Sequence, residues 1–261
     1  MIIIGEKLNS SIPSAYQAFE TGNNEYIVEM ASKQISCGAD YLDVNGGVFP
    51  DEAEKLVWAI SSILSSMDAN IVIDSMNPKS IAYVLENVKL KKAIINSITL
   101  EDTRLDGILP LVLKYNTGII ALPIDQDGIP KTIQKRVENA EKLIKLLKEQ
   151  GVKEQDIYID ILVEAASTEW EAPKRALRAT GILREKYPNI HLISGISNVS
   201  FGLPKRSHLN GAFLSAAITS GIDTAIMDIT NDDLKMTMYA AMLVNGQDEY
   251  CGEYLSAYRE I

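Results

Sequence analysis

Acidic and amide side chains recur where short apolar segments of the chain end. Asp43, Asp74 and Asp160 lie at three of these ends, and Asn96 and Asn198 lie at two others. A carboxylate accepts two parallel N–H bonds from an amino-substituted ring, whereas an amide supplies one donor and one acceptor. Three carboxylates and two amides therefore suit the binding of a neutral heterocycle whose edge alternates donors and acceptors.

Other chemistries find fewer suitable residues. The two histidines, His191 and His208, and the two cysteines, Cys37 and Cys251, form no Ser–His or Cys–His pattern and no zinc motif. A divalent-metal site is the competing use of the carboxylates, but the amides among them are poorer ligands for a hard cation. We expect no metal site and no disulfide framework.

The elements that must position these residues alternate between short β-rich segments and longer amphipathic stretches, which is the pattern of repeated βα units. The clearest helix spaces its apolar residues four and three apart from Ile133 to Leu147. The other predicted helices are Glu25–Ser36, Asp51–Ser65, Pro78–Glu86, Asp106–Lys114, Pro173–Lys186, Arg206–Ser220 and Asp232–Val244. The eight predicted strands are Ile2–Gly5, Tyr41–Val44, Ile71–Asp74, Ala93–Asn96, Gly118–Pro123, Ile157–Ile161, Leu192–Gly195 and Ala225–Asp228, and His191 falls just before the seventh.

Eight strands, each followed by a helix and with no linker between units, predict an α/β fold with one (β/α)8 TIM barrel over residues 1–261. A doubly wound open sheet is the rival fold, but it needs a long connection at its switch point and none is evident. Residues 248–261, with Tyr250, Tyr254 and Tyr258 spaced four apart, are predicted to form a short helical tail that caps the barrel or meets a second subunit.

Active sites of such barrels are built at the carboxyl ends of the strands. One polar residue at such an end is more simply a helix N-cap, because Asp, Asn and Ser are the favoured caps. Here seven strands carry polar residues to the same rim, which favours a ligand site. The candidates are Glu6, Asn9, Asp43, Asp74, Asn96, Asp160, Gly195, Ser197 and Asn198.

Composition excludes several classes of partner. The chain has 25 basic and 35 acidic side chains, a net charge of −10, which argues against nucleic-acid or anionic-membrane binding. No apolar segment approaches the roughly 20 residues that cross a bilayer, and the first residues lack the basic region of a signal peptide. We therefore predict a cytoplasmic protein.

Taken in order, the strand-end segments resemble those of the pterin-binding methyltransferase family. The resemblance is closest to methyltetrahydrofolate–corrinoid protein methyltransferases and to the folate domain of cobalamin-dependent methionine synthase. It spans nearly the whole chain, and the loop after strand 7 is its most specific part. The segments that carry it are Ile4–Asn9, Leu42–Gly46, Ile73–Ser75, Ile95–Ser97, Tyr158–Asp160, Gly195–Gly202, Asn210–Leu214 and Gly221–Ala225.

The resemblance implies that tetrahydrofolate or 5-methyltetrahydrofolate binds at the rim. Asn198 is expected near N5, the nitrogen that carries the methyl group, and it is the expected catalytic residue together with Asp74. Lys205 and Arg206 are candidates for binding the benzoyl-glutamate tail, whose carboxylates favour a cation. The residues expected to bind the pterin edge are Asp74, Asn96 and Asp160, with Gly195 and Ser197 shaping the floor of the site.

The implied reaction moves a methyl group between N5 of tetrahydrofolate and the cobalt of a corrinoid, in either direction. The chain has no DxHxxG cobalamin-binding segment, so we expect the corrinoid on a separate partner protein, and relatives suggest a homodimer. A dihydropteroate synthase-like pterin enzyme is the alternative, although Gly-Gly-Glu-Ser is expected after its strand 2, where Asn45–Val48 stands here. A non-catalytic folate-binding subunit is the alternative from another class.

Overall fold

Eight parallel strands close into a barrel in chain order in the computed structural model, which describes residues 1–259. The (β/α)8 barrel predicted from the sequence is thereby confirmed. The strands are β1 (Ile2–Asn9), β2 (Tyr41–Asn45), β3 (Ile71–Asp74), β4 (Ala93–Ile98), β5 (Gly118–Ala121), β6 (Ile157–Asp160), β7 (His191–Gly195) and β8 (Thr224–Met227).

Helices follow the strands and cover the outside of the barrel. None of those in residues 1–259 combines the length and apolar character needed to cross a membrane. They are α1 (Pro13–Thr21), α2 (Asn24–Ser36), α3 (Glu52–Ser66), α4 (Pro78–Asn87), α5 (Asp102–Tyr115), α6 (Ile133–Glu149), α7 (Ala172–Lys186), α8 (Arg206–Ser220), α9 (Asp232–Val244) and α10 (Gly252–Arg259).

Two further helices, α1 and α10, lie near the two ends of the chain. The short helix α1 was not predicted; Pro13 is its first residue, and Ala15, Ala18 and Phe19 are buried. Helix α10 packs against α9 and lies within the predicted tail, of which residues 260 and 261 fall outside the described residues.

Side chains inside the barrel form an apolar layer below a polar one. Because successive strand residues point to opposite faces, inward positions recur every second residue. The apolar layer contains Ile4, Val72, Ile94, Ile120, Tyr158 and Ile193. On three strands the next inward position is polar, so that Val72 is followed by Asp74, Ile94 by Asn96 and Tyr158 by Asp160. The pleat of the strands thus brings the predicted site residues to one end of the barrel.

Strand β1 is longer than predicted because it is irregular. Its pairing with β2 shifts register between Gly5 and Leu8, so the strand continues to Asn9. The fully buried Gln34 of α2 accepts a hydrogen bond from the Lys7 backbone N–H at 2.9 Å. Gly5 is required at this point, since a Cβ there would lie 2.5 Å from Gln34 Oε1. The irregularity places Glu6 and Lys7 at the rim.

His191 occupies the opposite end of the barrel from the rim. It was predicted just before strand 7, but it is the first residue of β7. Its ring stacks on Tyr158 at 4.6 Å between centroids, and Nδ1 lies 3.1 Å from Asp223 Oδ2. Because strand pairing and this aspartate order the ring, His191 has a structural place in the fold.

Candidate functional site

Two carboxylates and two amides meet at the carboxyl ends of β2, β3 and β4. Asn45 Nδ2 donates to Asp74 Oδ2 at 2.8 Å. Asn96 Nδ2 lies 3.4 Å from Asp43 Oδ1, at the long end of hydrogen-bond distances. Asp43 is almost fully buried, and Asp74 lies close enough to repel it. Asn45 was not among the predicted site residues, although it is the last residue of its strand.

Burial raises the pKa of both carboxyl groups in this pair. Burial, and then repulsion from Asp74, raise the pKa of Asp43 well above its ordinary value. Burial raises the pKa of Asp74 to about 6 against the opposing hydrogen bond from Asn45. Among residues 1–259 neither carboxylate has a salt bridge. Both are therefore available to accept N–H groups from a ligand.

Asp160 ends β6 in a similar environment, and a buried arginine holds the chain after it. Its Oδ1 accepts the Leu162 backbone N–H at 2.7 Å, while burial raises its pKa to about 6. Arg136 of α6 is fully buried, and its Nη1 donates to the carbonyl oxygens of Ile161 at 2.9 Å and Leu162 at 2.6 Å. Its Nη2 donates to Glu164 Oε2 at 3.2 Å. The backbone directly after Asp160 is thus immobilised.

A second buried arginine binds backbone carbonyl oxygens at the ends of β3 and β4. Arg104 of α5 donates through Nη2 to the carbonyl oxygen of Ser97 at 2.7 Å and through Nη1 to that of Met76. Ser97 follows Asn96 directly, and Met76 is two residues after Asp74. The sequence analysis missed both arginines. Their signal is a basic residue on the apolar face of a helix: Arg136 stands four residues before buried Ala140.

The remaining rim residues on β1 and β8 are paired with donors. Ser197 Oγ donates to Glu6 Oε1 at 2.6 Å, and Lys7 Nζ lies 3.1 Å from Asp228 Oδ2. Burial raises the pKa of Glu6, and the hydrogen bond from Ser197 opposes this effect. Glu6 also contributes a small repulsion that raises the pKa of Asp43.

The loop after β7 brings Asn198 to the rim. Residues Ile196–Ser200 form a short 3-10 helix, in which Asn198 is exposed. The Asn198 amide lies close to Gly195, where a Cβ would be 2.9 Å from Nδ2, so a larger residue at position 195 would displace the amide from this position. Within residues 1–259 this amide makes no hydrogen bond, and it is free to bind a ligand.

Three predicted residues have other surroundings. Asn9 Oδ1 accepts from the backbone N–H and the hydroxyl of Ser11, at 2.9 and 2.6 Å, in the turn after β1. Lys205 is exposed directly before α8. Arg206 donates to the loop after β7, through Nη2 to the carbonyl oxygen of Ser197 at 2.8 Å and through Nε to Ser200 Oγ at 2.9 Å.

Solved structures of dihydropteroate synthases share this fold. The enzyme from Clostridium difficile, determined in the presence of pteroic acid, matches with a TM-score of 0.70 at 19% identity, over 94% of this chain and 96% of that one. The enzyme from Xanthomonas albilineans, with 4-aminobenzoic acid, matches with a TM-score of 0.70 at 15% identity, over 95% and 93% of the two chains. At these identities the likeness establishes the class of fold, a (β/α)8 barrel.

Sequence comparison establishes the family. The family described as "Pterin binding enzyme" matches residues 5–228. Along its whole length the chain is 35% identical to the methylcorrinoid:tetrahydrofolate methyltransferase of Eubacterium limosum, 97% of which it covers. Over 87% of its length it is 30% identical to the methionine synthase of Mycobacterium tuberculosis, but it spans only 20% of that protein. The chain belongs to the pterin-binding enzyme family, and the resemblance drawn from its strand-end segments is confirmed.

Proposed function

We propose that this protein is a methyltransferase that moves a methyl group between N5 of tetrahydrofolate and the cobalt of a corrinoid. The observation that carries the proposal is the Asn198 amide, which makes no hydrogen bond within residues 1–259, at a rim that also holds three carboxylates without a salt bridge in the same residues. The full-length match to a protein named methylcorrinoid:tetrahydrofolate methyltransferase supports the same reaction. The physiological direction is left open by both arguments.

The proposed pterin contacts follow from the chemistry of the rim. A pterin presents an exocyclic amino group and ring N–H groups, which carboxylates accept in charge-assisted hydrogen bonds. Asp74 and Asp160 are the proposed acceptors, and Asn96 supplies a donor and an acceptor beside them. Gly195 and Ser197 would lie beneath the ring, with Glu6, Asn9 and Asp43 supporting it from the rest of the rim.

Asn198 is the proposed catalytic residue. Methyl transfer from a tertiary amine is slow because the nitrogen is a poor leaving group. A hydrogen bond from the Asn198 amide to N5 would strengthen as negative charge develops there. It would therefore stabilise the transition state of methyl transfer more than the bound substrate. Asp74 and Asp43 lie together at the carboxyl ends of β3 and β2, and burial raises the pKa of both carboxyl groups.

A separate corrinoid protein is the proposed partner. The corrinoid would supply the cobalt that accepts or donates the methyl group, and the pterin lies at the rim, where a partner can reach it. Loops at this end expose large apolar side chains that suit a protein contact. They are Val48, Met76, Trp170 and Phe201.

Other features stay proposals of the same kind. Lys205 is a proposed contact for the glutamate tail, whereas Nη2 and Nε of Arg206 bind the loop after β7. The single domain, the homodimer and the cytoplasmic location also stay predictions, the second of which light scattering in solution would test.

The decisive experiment follows cobalamin by absorbance under anaerobic conditions. Methylcobalamin with tetrahydrofolate, and in the reverse direction reduced cobalamin with 5-methyltetrahydrofolate, should interconvert only when the protein is present. Turnover of a pterin diphosphate with p-aminobenzoate instead would establish a dihydropteroate synthase. Tetrahydrofolate binding with no turnover in either assay would establish a non-catalytic subunit. Either of the last two results would refute the proposal.

A further inference from the structure

The loop that follows β7 is attached to the rest of the protein at points that flank Asn198. Ser197 Oγ donates to Glu6 Oε1 of β1 at 2.6 Å. The loop after β6 also holds this loop, through Ser167 Oγ, which donates to the Phe201 carbonyl oxygen at 2.6 Å. A further attachment comes from Arg206, the first residue of α8. Its Nη2 donates to the carbonyl oxygen of Ser197 at 2.8 Å, and its Nε donates to Ser200 Oγ at 2.9 Å. Arg206 thus binds the loop on both sides of Asn198.

The side chain of Asn198 is exposed, and it makes no hydrogen bond within residues 1–259 that would fix the position of its amide. Its backbone carbonyl oxygen accepts the Phe201 N–H at a long 3.3 Å. The position of the amide therefore depends on the backbone at its neighbours, where Arg206 binds Ser197 and the Ala166 N–H donates to the Val199 carbonyl oxygen at 3.0 Å.

The guanidinium of Arg206 has the shape that these contacts require. It also lies over the Phe201 ring, with Cζ 4.8 Å from the centroid. Lys205, directly before it, adopts a left-handed conformation with φ of 49°. This conformation costs about 1–2 kcal/mol for a residue with a Cβ atom. The planar guanidinium presents several N–H groups in a fixed arrangement, which an ammonium group does not.

We propose that Arg206 is a positioning residue, which holds Ser197 and Ser200 so that the Asn198 amide stays in place for the reacting nitrogen. The inference rests on the proposed methyl transfer. It differs from the tail contact suggested by the resemblance, because a tail contact acts on the binding of folate whereas positioning acts on the rate of the chemical step.

The test compares Arg206→Lys and Arg206→Met with the unaltered protein on two methyl donors. One is 5-methyltetrahydrofolate, and the other is 5,6-dimethyltetrahydropterin, which keeps the N5 methyl group but lacks the benzoyl-glutamate tail. Both variants should lower kcat roughly 10- to 100-fold with both donors, since small misplacements of reacting groups have effects of this size. The Kd for tetrahydrofolate should change less than about threefold. Normal kcat on the tail-less donor with a raised Kd for tetrahydrofolate would overturn the proposal.

A double-substitution cycle shows whether Arg206 acts through Ser200. Ser200 is fully buried, and Ser200→Ala removes the acceptor for Nε. If the two residues act as one unit, the double variant should be no slower than Arg206→Met alone, whereas independent effects would multiply and refute the linkage. Arg178→Lys is the matched control, because Arg178 is an exposed arginine on α7 with no hydrogen bond or ion pair within residues 1–259. It should leave kcat unchanged.

Hydrogen exchange supplies a readout that needs no activity. The Phe201 and Leu203 N–H groups donate within the loop, to the carbonyl oxygens of Asn198 and Ser200 at 3.3 and 3.1 Å. Arg206→Lys and Arg206→Met should speed exchange in residues 196–203 and leave α6 unchanged. Unchanged exchange in the loop would overturn the inference. If the unaltered protein transfers no methyl group, the proposed function fails, and exchange alone then decides the role of Arg206.

Discussion

The two halves of the barrel rim hold carboxylates of the same kind in different electrostatic environments. The unpaired half consists of Asp43, Asp74 and Asp160, which have no salt bridge within residues 1–259. The paired half consists of Glu6, Lys7, Ser197, Arg206 and Asp228, in which each carboxylate meets a hydroxyl or an ammonium group. In sequence both halves show the same feature, an acidic residue at the end of a strand.

The difference indicates where a ligand must complete the structure. Burying an ionised carboxylate without a partner costs free energy, and proteins accept that cost mainly at functional sites. In the paired half, the protein supplies its own donors and orders the Asn198 loop. In the unpaired half the donors are uncharged, two side-chain amides and one backbone N–H, and the N–H groups of a pterin would fill the acceptor positions that remain. The paired half therefore positions the Asn198 loop, and the unpaired half would bind the pterin.

The largest expected effect comes from the buried arginine behind the unpaired half. Arg136→Met leaves the carbonyl oxygens of Ile161 and Leu162 without this donor, and Glu164 keeps only its exposed partner Lys131 at 2.8 Å among the close donors. We expect the free energy of unfolding to fall by about 3–5 kcal/mol, because a buried charge loses its partner. Urea unfolding measures it. Arg178→Met, on the exposed face of α7, should change stability by less than about 0.5 kcal/mol. Similar losses of stability for both variants would contradict the role of Arg136 in holding the chain after β6.

The next largest effect is expected at Asn198, whose loop the paired half holds in place for the reaction. Asn198→Ala should lower single-turnover methyl transfer by roughly 100-fold, the usual cost of removing one donor to a developing charge. Tetrahydrofolate binding should be nearly unchanged, because the unpaired half supplies the main pterin contacts. Stopped-flow absorbance of the corrinoid measures the rate, and calorimetry measures binding. An unchanged rate with intact binding would remove Asn198 from the mechanism.

Asp160→Asn should separate binding from stability in the unpaired half. The amide cannot accept two N–H groups from the pterin, so affinity for tetrahydrofolate should fall roughly 10- to 100-fold at neutral pH. Stability should rise instead. A pKa of about 6 in the folded protein lies above the unfolded value, so the unfolded state ionises first as pH rises, and the folded wild type loses stability between about pH 4 and 6.

The gain from Asp160→Asn should therefore reach about 3 kcal/mol above pH 6 and vanish below about pH 4, where both states of the wild type are largely protonated. Thermal unfolding across this pH range measures it. Glu6→Gln is the comparison from the paired half, and it should gain less because Ser197 and nearby cations stabilise the ionised form. Equal gains in the free energy of unfolding for the two variants would contradict the proposed difference between the two halves.

The smallest effect belongs to the salt bridge of the paired half. Lys7 and Asp228 are about a quarter exposed, with side-chain exposures of 27% and 25%. Lys7→Met should lower the free energy of unfolding by no more than about 1 kcal/mol, and by less in high salt. Denaturant unfolding at two salt concentrations checks this. A larger loss that does not depend on salt would place Lys7 among the essential supports of β1.

The barrel was predictable because its signals are local. Strand β3 has the predicted bounds, Ile71–Asp74, since an apolar run that ends at an acidic residue marks both a strand and its end. Strand β1 was predicted to end at Gly5, and it continues to Asn9 because its pairing shifts register. That shift depends on Gln34 of a later helix, so no short stretch of sequence shows it.

The site was predictable in its inward residues and not in what holds them. Asp74 and Asn96 follow from strand periodicity. Asn45 acts through Asp74, which the pairing of β2 with β3 brings near, and Lys7 acts through Asp228, which only closure of the barrel between β1 and β8 brings near. Arg104 and Arg136 bind backbone carbonyl oxygens of loops, and no residue type in those loops reveals that they are bound. Hydrogen bonds to the backbone leave little trace in sequence.

The arginines also set a limit on how this barrel can be re-engineered. Arg136 comes from α6 but holds the loop after β6, and Arg104 comes from α5 but holds chain after β3 as well as β4. A rim loop here is therefore not an interchangeable module of its own βα unit. Grafting the β6 loop from a relative would require the matching residue at position 136 on the preceding helix, and a chimera that moves only the loop would leave a buried guanidinium facing the wrong backbone.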